Sequence, residues 1–93
     1  MSTVVRIPTP LRRVTNGDDK ASVEGDTLSQ VINDLESKYP GIKERLCDED
    51  ENLRHFVNIY INGEDVRFLE GLETPVNSGD EISIVPAVAG GTY

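Results

Sequence analysis

Residues 25–41, GDTLSQVINDLESKYPG, predict one amphipathic helix. Thr27 and Gln30 have the spacing of a capping box, in which two side chains satisfy the first free backbone N–H groups. Pro40 disfavours helical geometry at Tyr39, so the helix should end there. The apolar residues between these limits fall on one stripe: Leu28, Val31, Ile32 and Leu35. Such a stripe needs a second layer of structure to cover it.

Two strands are predicted before the helix. Residues 3–8, TVVRIP, are rich in β-branched side chains, and alternation places Val5 and Ile7 on one face. Residues 21–24 are a shorter candidate strand, and Asn16-Gly17 between the two is a turn signal. These two strands should therefore form a hairpin.

Further strands are predicted after the helix. Residues 56–62, FVNIYIN, alternate with period two, and Asn62-Gly63 is a hairpin signal. The return strand is expected over residues 65–68. Residues 81–85 give the last strand, and Pro86 should end it because proline cannot donate to the ladder.

The order β-β-α-β-β-β predicts an α+β domain with two layers. One helix can cover only one sheet face, so a mixed sheet of about five strands is expected. Residues 42–46 should add one helical turn, and the acidic segment 47–52 should be a solvated loop. The domain is expected to span residues 1–86 and to leave 87–93 as a flexible tail of mainly small residues.

The length and charge of the chain exclude several classes of protein. The chain has 93 residues, which suits one domain with one core and leaves little room for a deep substrate cavity. It has 9 Lys and Arg against 17 Asp and Glu, for a net charge of −8. This balance argues against nucleic acid and anionic membranes as partners, and favours a basic protein surface.

The chain has one cysteine, Cys47, and one histidine, His55. An internal disulfide and a structural zinc site of the Cys/His type are therefore not expected, and no bound metal or cofactor is predicted. The acidic neighbours should raise the pKa of the Cys47 thiol and make it a poor nucleophile. The start of the chain lacks a signal peptide pattern, so the cytoplasm is the expected compartment.

The end of the chain resembles that of a known family. Residues 77–91, NSGDEISIVPAVAGG, are similar to the ThiS/MoaD sulfur carriers, which are β-grasp proteins related to ubiquitin. Within this family the CysO-type carriers of actinobacterial cysteine biosynthesis show the greatest resemblance. The other segments that support it are residues 7–12 (IPTPLR), 25–28 (GDTL), 54–62 (RHFVNIYIN) and 64–68 (EDVRF).

The resemblance implies a protein co-substrate and not an enzyme. An E1-like partner would use ATP to adenylate the carboxylate of Gly91, and sulfur would then replace AMP to give a thiocarboxylate. A PLP-dependent, cysteine synthase-like partner would accept that sulfur. Gly90 would allow close approach of the tail to the activating enzyme, because glycine has no Cβ.

Thr92 and Tyr93 depart from the family pattern, in which the active form ends at the second glycine. They are either a precursor extension or foreign to the natural protein. The resemblance implies that a zinc metalloprotease of the JAMM class could remove them. The side chains of this chain show no acid, base and nucleophile constellation of their own.

One face of the sheet is expected to dock the E1-like enzyme. Alternation places Phe56, Tyr60 and Val85 on the face that the helix leaves bare; Phe68 is expected to join them, and Val88 follows in the tail. The alternative is that a loop, 42–54 or 70–79, covers this patch. The destination of the sulfur also stays open among cysteine, thiamin, molybdopterin and specialised metabolites, and a ubiquitin-like protein modifier is the rival function.

Overall fold

The fold is seen in a computed structural model that describes residues 3–50, 52–54 and 57–86. The strands are β1 (Thr3–Arg6), β2 (Lys20–Val23), β3 (Val57–Ile61), β4 (Glu64–Asp65) and β5 (Glu81–Pro86). The helices are α1 (Leu28–Lys38) and the short α2 (Ile42–Leu46). Three 3₁₀ turns lie at Thr9–Leu11, Val66–Phe68 and Gly71–Glu73.

The five strands form one mixed sheet in the order β2-β1-β5-β3-β4. β1 and β2 form the predicted antiparallel hairpin, and β5 returns parallel to β1. β3 pairs antiparallel with both β5 and β4. The last strand of the chain is therefore at the centre of the sheet, between the first strand and the third.

The core lies between α1 and one face of the sheet. The predicted helical stripe is buried in full: Leu28, Val31, Ile32 and Leu35. The inward positions of the strands cover it: Val5, Val57, Ile59, Ile61, Ile82 and Ile84. Ile7, the residue after β1, is buried in the same core. The helical repeat of 3.6 residues and the strand repeat of 2 residues therefore place apolar side chains on the two sides of one interface. The prediction of two layers is confirmed.

The capping box at the start of α1 is present in a shifted form. The Thr27 hydroxyl accepts a hydrogen bond from Gln30 N at 3.3 Å, as its spacing predicts. The Gln30 side chain reaches one residue further back than the motif requires, and accepts from Asp26 N at 2.8 Å. Both bonds satisfy donors at the helix start, and the helix ends at Lys38, two residues before Pro40.

The predicted return strand over 65–68 is wrong beyond Asp65. Asn62 and Gly63 both have positive φ (52° and 87°), as a two-residue hairpin requires, but β4 has only two residues. The Asp65 carboxylate accepts from Arg67 N at 2.9 Å, which bends the backbone into a 3₁₀ turn. Val66 is then buried in the core. The side-chain cap thus outweighs the local strand pattern.

The carboxylate of Glu36 fixes α2 against α1. It accepts hydrogen bonds from Lys43 N at 2.9 Å and from Gly41 N at 3.1 Å, two donors at the start of α2. The bond from Lys43 N, followed by that from Gly41 N, lowers the pKa of the Glu36 carboxyl below 4.5. The ionised form is therefore favoured in the folded state.

Replacing Glu36 with glutamine should destabilise the protein in a pH-dependent way. The contribution of Glu36 is fully present above its unfolded pKa, near 4.5, and is lost as the pH falls through the lower folded value. Urea unfolding of both proteins from pH 7 to pH 3 should show a stability gap that closes on acidification. Glu49→Gln, at an exposed carboxylate, serves as the control. A gap that stays constant with pH would contradict this role.

Residues 3–50, 52–54 and 57–86 contain no helix that is long and apolar enough to cross a membrane.

Candidate functional site

The candidate site is the predicted tail, residues 87–93, together with the sheet surface at the end of β5. The last residue of β5, Pro86, pairs with Val57 at the start of β3. The tail, including Val88, Gly90 and Gly91, lies outside the described residues, as do His55 and Phe56. The roles predicted for Gly90, Gly91, Val88 and Phe56 therefore remain predictions.

β5 is anchored firmly before the tail begins. Its side chains Ile82 and Ile84 are buried in the core, and it pairs with a neighbouring strand on each side at residues 82–83. The turn before it is held by Asp80, whose carboxylate accepts from Asn77 N at 2.8 Å and from the Asn62 amide at 3.0 Å. The body therefore gives the tail a fixed point of departure.

The sheet face opposite α1 is called here the outer sheet face. It consists of Val4, Arg6, Asn58, Tyr60, Ser83 and Val85. Val85 is 43% exposed and Tyr60 is half-buried, so loops 42–54 and 70–79 do not cover Val85. The register places Val85 opposite Asn58 and Tyr60 opposite Ser83. The predicted Tyr60 and Val85 thus share one face next to the start of the tail.

Phe68 stands apart from the strands of this face. It is 87% exposed and belongs to the 3₁₀ turn after β4, because the predicted return strand does not extend that far. The next residue, Leu69, is also exposed. The two form a second apolar projection at the edge of the sheet.

The outer sheet face is more polar than the sequence predicts. Arg6 and Glu81 form an ion pair at 3.0 Å, and both side chains are more than half exposed, so the pair adds little stability. Asn58 accepts a hydrogen bond from Arg67 on this face. Sequence reasoning missed Arg67, since its position in a predicted strand gave no sign that its side chain reaches β3.

Cys47 is not part of this surface. Its side chain is 4% exposed in the core, and its N–H donates to Lys43 O at 2.8 Å at the end of α2. Cys47 therefore lies among apolar core side chains and not in the solvated acidic loop that the sequence predicts. Within the described part of the chain, no three His, Cys, Asp or Glu side chains are placed to hold a metal ion.

A mixed five-stranded sheet with one main helix across one face defines a β-grasp, ubiquitin-like protein. The sequence profile of the ThiS family matches residues 5–91, so the chain belongs to the ThiS family. The match runs from the second half of β1 to both glycines, Gly90 and Gly91.

Individual relatives agree with this assignment. The chain is 54% identical to the sulfur carrier protein CysO of Mycobacterium tuberculosis H37Rv, over 98% of this chain and all of that protein. It is similar to a chain in the crystal structure of the Amycolatopsis orientalis BexX/CysO complex, with 49% identity and a TM-score of 0.91. That alignment covers 96% of this chain and 99% of the other.

A protein modifier is also among the relatives. The small archaeal modifier protein 3 of Haloferax volcanii is 40% identical over 65 residues, which is 70% of each chain. Sulfur carriers and a protein modifier are therefore both among the relatives of this chain.

Proposed function

We propose that this chain is a sulfur carrier that holds sulfur as a thiocarboxylate on Gly91 and delivers it for cysteine biosynthesis. The observation that supports the proposal most directly is the 54% identity to a CysO sulfur carrier over the full length of that protein. Thiamin, molybdopterin and specialised metabolites are the alternative destinations of the sulfur.

The chemistry takes place on the terminal carbonyl of the carrier. A free carboxylate is a poor electrophile, so an E1-like enzyme joins it to the α-phosphate of ATP and releases pyrophosphate. A sulfide donor then attacks the carbonyl carbon and AMP leaves. The carrier supplies no acid or base for these steps; it supplies a glycine whose carbonyl has no neighbouring Cβ to block approach.

The outer sheet face is the proposed docking site for the E1-like enzyme. Val85 and Tyr60 lie on it within the described structure, and Phe56 and Val88 are predicted to extend it. The A. orientalis relative forms a complex with BexX, which supports a protein partner for this chain as well. The net charge of −8 favours a partner with a basic surface.

The Gly91–Thr92 peptide bond must be hydrolysed before Gly91 can be activated. A JAMM-class zinc metalloprotease is the proposed agent, and the cut removes Thr92 and Tyr93. The Gly91 thiocarboxylate sulfur would displace the leaving group from the β-carbon of an activated serine held by a PLP-dependent synthase, which leaves cysteine joined to Gly91 as a thioester. Once the acyl group has moved from the sulfur to the cysteine amine, the same protease would hydrolyse the resulting peptide bond and release cysteine.

The function is tested by intact mass after incubation with the E1-like enzyme, ATP and a sulfide donor. The form that ends at Gly91 should gain the mass difference of one sulfur for one oxygen, whereas the form that ends at Tyr93 should not. Prior treatment of the longer form with the protease should restore the reaction. No gain for the Gly91 form would refute the carrier function, and an unchanged mass after protease would refute this maturation route.

The second candidate is a protein modifier, which the similarity to the H. volcanii modifier supports. In that case the activated Gly91 would be attacked by a lysine amine of another protein, with loss of AMP. Conjugates in the reaction mixture would then carry isopeptide bonds to Gly91. Mass spectrometry of the same reaction separates the two functions.

A further inference from the structure

The last backbone bonds that hold β5 to β3 can be located from the register. Asn62 N donates to Glu81 O at 2.8 Å, so Asn62 and Glu81, which lie next to the pair Ile61–Ile82, are hydrogen-bonded. Bonded and non-bonded pairs alternate along an antiparallel ladder. The pair Asn58–Val85 is therefore a bonded pair, and it is the last one before the tail in the described structure.

The final pair, Val57–Pro86, is a non-bonded one. Val57 N points away from β5 and donates to Arg54 O at 2.9 Å, while Pro86 has no N–H to donate. Within residues 57–86, the pair Val57–Pro86 therefore adds no ladder hydrogen bond beyond the Asn58–Val85 pair. A side-chain contact can reinforce this end of the two strands.

Arg67 supplies that contact from the far side of β3. One terminal nitrogen of its guanidinium donates to the Asn58 side-chain oxygen, and the other donates to Arg54 O at 2.6 Å. Arg67 is itself held in place, because its backbone N–H is bound by the Asp65 carboxylate. The guanidinium thus joins the last hydrogen-bonded pair, Asn58–Val85, to the backbone that precedes β3.

We propose that Arg67 is a positioning residue for the C-terminal tail. It holds the hydrogen-bonded pair Asn58–Val85, called here the rung, which lies one residue before the end of β5. The inference rests on the proposed function of Gly91. In this structure it is supported by the two hydrogen bonds that the Arg67 side chain donates, one to Arg54 O and one to the Asn58 side chain. These acceptors lie on either side of Val57, which pairs with the last residue of β5.

Arginine suits this task better than lysine. Its planar fork presents two nitrogens in a fixed geometry, so it binds two acceptors at once and in a set direction. An ammonium group on a flexible stem keeps the charge but does not hold both acceptors in register. Arg67→Lys therefore separates the effect of geometry from that of charge.

The first test is amide hydrogen exchange by NMR, which needs no enzyme. In Arg67→Lys and Arg67→Gln, the exchange at Val85 and Asn58 should be faster by about fivefold to tenfold, the scale of one lost hydrogen bond. Core amides such as Ile82 should be unchanged once their exchange is corrected for the change in global stability measured by urea unfolding. All amides should be unchanged in Arg45→Gln, a control at an exposed arginine on α2. Unchanged exchange at Val85, or equal acceleration in the core, would overturn the proposal.

The second test is adenylation of the Gly91-ended protein by the E1-like enzyme. Both Arg67 variants should lower kcat by about fivefold, with little change in KM, because docking is intact and the tail is misplaced. Restored activity in Arg67→Lys, or a rise in KM alone, would overturn the positioning role. If the unsubstituted protein is not adenylated, the proposed function fails, and the exchange data still decide whether Arg67 holds the rung.

Discussion

Replacing Gly91 with valine in the Gly91-ended protein should abolish thiocarboxylate formation and leave the fold unchanged. A β-branched side chain next to the reacting carbonyl crowds the approach of ATP and of the sulfide donor. The expected loss in rate is about 100-fold or more, which is the loss that a misplacement of a reacting group by about 1 Å can cause. Pyrophosphate release and intact mass after reaction with the E1-like enzyme measure the two steps.

The control for this experiment makes the same kind of change earlier in the tail. Ala87→Val adds a β-branched side chain four residues before the terminal carbonyl, so adenylation should stay near that of the unsubstituted protein. Urea unfolding should be the same for all three proteins, because both substitutions lie in the predicted flexible tail, residues 87–93. Equal adenylation of the Gly91→Val variant and the unsubstituted protein would show that the tail does not enter a narrow site.

Much of this fold could be predicted because its signals are local. The α1 stripe repeats at helical spacing and the β3 residues alternate, so each pattern defines its own buried face. The Asn62-Gly63 turn could be predicted for the same reason, since it needs two adjacent residues with positive φ. The two-layer arrangement with a mixed sheet followed from the need to cover a single helical stripe, with the family resemblance in support.

The features that could not be predicted depend on contacts between distant parts of the chain. Residues 65–68 have a strand-like composition, yet the cap by Asp65 turns residues 66–68 away from the sheet. The contact of Arg67 with Arg54 O joins residues 13 apart in the chain, and no periodicity indicates it. Cys47 looks like a loop residue in sequence but is buried, because α2 carries it into the core.

Replacing Val85 with aspartate should remove binding to the E1-like enzyme and leave the carrier folded. Val85 is 43% exposed on the outer sheet face, so a carboxylate there stays hydrated in the free protein. Docking would bury that charge where the enzyme is expected to receive an apolar side chain, with no counter-ion matched to it, which is costly. The affinity should fall by about 30-fold or more, the loss of a hot-spot contact, as measured by calorimetry with the E1-like enzyme.

Val4→Asp is the matched control for this substitution. Val4 lies on the same face and is 39% exposed, but the register places it opposite Glu81, at the other end of β5 from the tail. Both changes put an aspartate into a strand, so both carry a similar cost in strand propensity. If docking is centred near the tail, only Val85→Asp should lose binding strongly. If both variants bind as tightly as the unsubstituted protein, the enzyme recognises another surface and Val85 is not part of the contact.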